Sequence, residues 1–127
     1  MNFKSIVFTA LVFTSIANYQ MLAIAPITND YQFNDIMAKG GIDIIALASS
    51  PSDLDNLSAE LSAIEIRGEF PSAHFYYSTP YTIPNSVQKY RLATVGVTVF
   101  KNGTVIGKIE GSPDIQDLIR RLKQILG

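Results

Sequence analysis

Three hydroxyls fall within four residues at Ser49-Ser50-Pro51-Ser52, between an apolar run and a segment of helical periodicity. Asp43 lies upstream in the same apolar run, and His74 is the single histidine of the chain. A serine becomes a nucleophile when a base, usually a histidine oriented by a carboxylate, takes its proton. His74 opens a separate predicted strand with no evident path to the serines, and Asp43 would reach Ser49 only through water. The hydroxyls are therefore read first as polar helix-start groups, with Ser52 an N-cap before Asp53. The chain contains no cysteine. Disulfides, thiolate nucleophiles, iron–sulfur clusters and cysteine-ligated zinc are excluded on chemical grounds. One histidine cannot build a histidine-rich metal centre, so no metal or other cofactor is expected.

The elements that position these groups come from a chain of 127 residues, a length that favours one domain with a real core. Hydrophobic residues make up 47% and charged residues 17%, a balance that argues against disorder. The net charge is −1, and no run of Lys and Arg interleaves with aromatics. A nucleic-acid partner is not expected from such a charge distribution.

Residues 1–20 stand apart from the domain assigned to 21–127. Met1-Asn2-Phe3-Lys4 supplies one positive charge, an uncharged apolar run follows, and Ser15-Ile16-Ala17 has small residues where a signal peptidase reads. This pattern predicts a secretory signal and a secreted or luminal protein. The alternatives are an N-terminal hydrophobic anchor, which would make a membrane the partner if the segment is retained, and a mitochondrial presequence. Asn18, Tyr19 and Gln20 interrupt the apolar run, and no arginine precedes Arg67. The triplets Asn56-Leu57-Ser58 and Asn102-Gly103-Thr104 have the Asn-x-Ser/Thr glycosylation pattern, which fits a secretory route but also arises by chance.

Leu22–Pro26 reads as a short first strand. Thr28 or Asn29 caps the following helix, Phe33, Ile36 and Met37 share its inner face, and Gly40-Gly41 stops it. Ile42–Ala48 is almost continuously apolar, as in a strand covered on both faces. From Ser52 onward Leu54, Leu57, Leu61 and Ile64 recur at helical spacing, and Gly68 ends that helix. Ala73–Ser78 is aromatic-rich and predicts a strand, whose Phe75, Tyr76 and Tyr77 are core candidates. Ile83–Tyr90 predicts a short helix with Pro84 in its first turn. Asn102-Gly103 between two apolar runs predicts a tight hairpin. Ser112 and Pro113 open the last helix, whose stripe is Ile115, Leu118, Ile119, Leu122 and Ile125. The order is β-α-β-α-β-α-β-β-α, an α/β fold with a mixed central sheet and helices on both faces.

With that order, Val99–Gly111, Phe70–Ser78 and Ile42–Asp53 together resemble the thioredoxin family over about four-fifths of the chain. In that family the middle stretch ordinarily reads Val-Asp-Phe-Trp-Ala-x-Trp-Cys-Gly-Pro-Cys-Lys. The resemblance puts Ser49 and Ser52 at the two cysteine positions, Ser50 at the glycine, Pro51 at the retained proline and Asp43 at the buried acid. Ala48 replaces the preceding tryptophan. A second register slides Pro51-Ser52-Asp53-Leu54 onto the motif and puts Ile45 at the acid, again without sulfur. Val95 takes the cis-proline position with Thr94 before it. A cis bond there would cost ~2.5–4 kcal/mol, so a trans Thr94–Val95 bond is expected. Tyr77 or Ser78 stands where the family places a lysine beside the acid.

The resemblance implies a redox-inactive thioredoxin-like scaffold that binds a protein or extended peptide. Exchange needs an attacking and a resolving thiol, and a hydroxyl forms no mixed disulfide. The implied contact residues are Ser49, Pro51, Thr94 and Val95, completed by a turn at Ala63–Gly68 or at Gly111. Tyr81, in the loop with two prolines, adds an exposed aromatic. The alternatives are a divergent or cysteine-to-serine form of an active oxidoreductase, or an activity of another kind using the serines. Ser50, Ala48 and Val95 speak against simple cysteine replacement, because blocking the thiols leaves those positions untouched.

Overall fold

The computed structural model describes residues 24–127. The segment read as a signal or anchor lies outside the described residues, as do the first residues of the predicted opening strand. Nine elements follow in the predicted order. They are β1 (Ala25–Pro26), α1 (Asp30–Lys39), β2 (Ile42–Leu47), α2 (Pro51–Arg67), β3 (Ala73–Ser78), α3 (Pro84–Tyr90), β4 (Gly96–Lys101), β5 (Thr104–Glu110) and α4 (Ile115–Leu126).

The sheet order is β1-β3-β2-β4-β5. β3 runs parallel to both β1 and β2, while β4 is antiparallel to both β2 and β5. β2 therefore sits at the centre, which explains its unbroken apolar sequence. Its side chains alternate between two cores. Ile44 and Ala46 join Leu57, Leu61 and Ile64 of α2 and Leu118 and Leu122 of α4. Ile45 and Leu47 join Phe33, Ile36 and Met37 of α1 and Ile83 and Leu92 on the opposite face. There Phe33, Tyr90 and Phe100 pack with ring centroids 5.4–5.7 Å apart.

Local sequence sets the ends of these elements. Asn29 is the cap of α1, accepting from the Gln32 amide at 2.8 Å, while the Gln32 side chain accepts from the Thr28 amide at 2.7 Å. Gly68 closes α2 in the left-handed conformation. Asn102 and Gly103 take φ of 52° and 79° in the two-residue β4–β5 turn. The Asn102 side chain also accepts the Gly41 amide at 2.8 Å, tying that hairpin to the start of β2. α4 begins later than Ser112-Pro113 suggested, because the Asp114 carboxylate captures the Asp117 amide at 2.9 Å and leaves Pro113 outside the helix.

Gly96 is the tightest point of the frame. Its φ is +146°, and a methyl group there would run into the Ile109 carbonyl oxygen on β5. Gly96→Ala is expected to cost about 2 kcal/mol or more, read as a lower urea midpoint with an unchanged slope.

Candidate functional site

The end of the sheet where β2 finishes and β4 begins carries most of the residues singled out above. Leu47 pairs with Gly96, so the loop leaving β2 and the segment entering β4 are neighbours. Ser49, Pro51 and Ser52 are exposed and Ser50 is half-buried. Helix α2 starts at Pro51, whose fixed φ suits a first helical position. Its cap is therefore Ser50, not Ser52: Ser50 Oγ accepts the Asp53 amide at 3.2 Å. Ser52, already inside the helix, lies with its hydroxyl 3.5 Å from that of Ser50.

Opposite this loop, Thr94 is exposed and Val95 half-buried. The described residues contain no cis peptide bond, so Thr94–Val95 is trans. The segment is anchored from below and from one side. Buried Thr98 accepts the Ala93 amide at 3.0 Å, Lys108 Nζ donates to the Arg91 carbonyl at 2.6 Å, and the Gly111 amide donates to the Val95 carbonyl at 2.8 Å. Gly111 thus belongs to this surface. Ala63–Gly68 does not, because α2 carries it about 25 Å away to the other end of the sheet. Tyr81 is 77% exposed on the loop after β3, at the same end of the sheet but toward β1. The Thr79–Thr82 turn that presents it is closed by a 3.1 Å backbone bond and a 2.7 Å hydroxyl contact.

Asp43 is placed elsewhere. It lies four residues below Leu47, about 13 Å along the strand, on the sheet face turned away from α2. It pairs in register with His74, whose Nδ1 is 3.7 Å from its carboxylate. The residue beside the acid is therefore His74; Tyr77 and Ser78 pair with Ala46 and Leu47. Burial pushes the Asp43 carboxyl up from its ordinary range, partly opposed by His74. One carboxylate oxygen is buried without a partner. Acid and imidazole sit together, yet away from the serines, so no base is aligned on Ser49 or Ser52. No group of three or more His, Asp or Glu side chains suited to a metal occurs among the described residues, and no described helix is long and apolar enough to cross a membrane.

No protein-family model matches the sequence, and no curated protein does. Solved structures do match. Thioredoxin from Malassezia sympodialis (Mala s 13) is 18% identical with a TM-score of 0.68, covering 82% of this chain and 91% of that one. Mitochondrial thioredoxin 3 from Saccharomyces cerevisiae is 18% identical with a TM-score of 0.66, covering 83% and 98%. A designed protein is 20% identical with a TM-score of 0.69, covering 82% and 98%. Similarity at this level defines the fold. The chain is a thioredoxin-fold protein. Within that fold it is a cysteine-free form, with serine hydroxyls at the end of the sheet where β2 enters α2.

Two expectations follow. Ser50→Ala is expected to cost about 1 kcal/mol and Ser52→Ala close to nothing, a contrast that denaturant melts resolve. A carboxyl raised by folding binds its proton more tightly in the native state, so stability falls as pH rises from the unfolded value of about 3.9. The cost persists at neutral pH. Asp43→Asn removes the charge and is expected to raise the urea midpoint near pH 7, with the gain shrinking toward pH 4.

Proposed function

We propose that the protein is a redox-inactive scaffold that holds an extended segment of another protein, without disulfide reductase activity. The observation that carries the reading is the pairing of an anchored, open backbone segment with a motif loop that has no sulfur. Thr94 is exposed, and its amide and carbonyl enter none of the hydrogen bonds made by the described residues. An extended chain laid beside it can pair with these groups as an added strand, the mode in which main-chain bonds give affinity. Ser49 and Pro51 form the facing wall, and the Val95–Gly111 bond keeps the lip in place. The thioredoxins named above share the fold, and non-catalytic thioredoxin-like domains that bind unfolded clients offer the comparison at fold level. The sequence signature of a secretory signal supports the same setting, a lumen or extracellular space in which clients are exposed.

A serine hydroxyl at Ser49 does not replace a thiolate, and the Asp43–His74 pair lies too far away to activate it. The purified chain is expected to reduce insulin no faster than the buffer blank; turnover above it would overturn the reading. Titration with a reduced, carboxymethylated unfolded protein is expected to shift the amide resonances of Thr94, Val95, Gly111 and Ser49. Unchanged resonances at these four positions would remove the binding half of the proposal.

A further inference from the structure

Away from the Thr94 lip, on the β1 side of the same sheet end, two concavities meet at Thr82. One, about 370 Å³, is apolar and lined by Ile27, Leu54 and Tyr77. The other, about 500 Å³, lies between α1 and α3 and is lined by Asp30, Tyr31, Asn34 and Lys89. Their walls are fixed before any ligand arrives. The Asp30 carboxylate accepts the Ser86 amide at 2.9 Å and the Ser86 hydroxyl at 2.7 Å, joining α1 to α3. Ser78 Oγ donates to the Ile27 carbonyl at 2.7 Å, joining the end of β3 to the chain leaving β1. A pre-formed cleft loses little free energy to ordering when it is filled.

The side chains specify what fits. Tyr31 is 84% exposed at the polar cavity, and Tyr81, beside Thr82, is exposed as well. Large exposed aromatics next to a carboxylate present the two surfaces a guanidinium uses, a ring face and an anionic edge. Asp30 is the one carboxylate lining either cavity. Lys89 is the one cation lining either cavity, and its ammonium sits 5.2 Å from the Tyr90 ring centroid. Desolvation opposes ionisation of Asp30, but the hydrogen bonds from Ser86 and Asn85 outweigh it and hold the carboxyl below its ordinary range.

We propose that this cleft binds an extended peptide segment carrying an apolar side chain and an arginine, the first seated between Ile27, Leu54 and Tyr77 and the second between Tyr31 and Asp30. The site is separate from the Thr94 lip and does not depend on that lip being occupied. It gives the scaffold a preference for cationic, apolar clients that open backbone alone does not provide.

The test is titration of the isotope-labelled chain with a short Gly/Ser peptide carrying a leucine flanked by arginines. Shifts are expected at Thr28, Leu54, Tyr77 and Thr82. Replacing the peptide leucine by serine is expected to weaken binding roughly tenfold or more, from the lost apolar burial. Asp30→Asn or Tyr31→Ala in the protein is expected to weaken it several-fold, with affinity falling as salt is raised. Equal binding of a peptide with glutamates in place of the arginines would overturn the proposal. So would shifts at these residues that depend on protein concentration without peptide, which would make a second copy of the chain the occupant. Shifts confined to Ser49, Thr94 and Gly111 would also overturn it while leaving the strand-pairing site intact.

Discussion

The register of β2 between β3 and β4 is the constraint on which the rest depends. Because Leu47 faces Gly96, the loop that starts α2 and the segment that enters β4 share one end of the sheet. Because Asp43 faces His74 and Phe100, the one buried acid of the strand lies lower in the sheet. A shift of the β2–β4 register by one residue would exchange the two faces of β2 and turn Asp43 into the opposite core. Gly96 constrains the neighbouring β4–β5 pairing instead, since the Ile109 carbonyl on β5 leaves no room for a side chain at that point.

This separation shapes the chemistry. The sheet end where β2 enters α2 carries hydroxyls and open backbone, with no base aligned on Ser49 or Ser52. The titratable pair is sealed away from it, with an imidazole on the outside and a carboxylate on the inside. At the junction of β2 and α2 this chain has serine hydroxyls and no sulfur.

Much of this architecture was legible from residue patterns. The apolar run Ile42–Ala48, the Asn102-Gly103 turn and the stripe from Ile115 to Ile125 announce their elements because each obeys a single local rule. Helix starts were harder to read. Ser52 and Ser112 have the right chemistry to begin helices, but Pro51 fits inside a first turn and Asp114 is the stronger competitor for an amide. The site was legible only in part. Ser49, Thr94 and Val95 could be named from their places along the chain, but the partnership of Asp43 with His74 follows from strand pairing between distant segments. The cleft around Thr82 is assembled from α1, α2, α3 and the end of β3, segments spread along the chain, and has no linear signature at all.

The Asn102 side chain, which holds the Gly41 amide, gives the molecule a built-in point of ageing. Asparagine followed by glycine is the pair in which the next backbone nitrogen most readily attacks the side-chain amide, closing a ring that reopens with the main chain rerouted through an extra carbon. A two-residue turn with both φ angles positive has no slack for that insertion. Such damage at this one residue would loosen the β4–β5 hairpin and, through Gly41, the root of the central strand. The molecule's shelf life is thus tied to the same short turn that most clearly announces its topology.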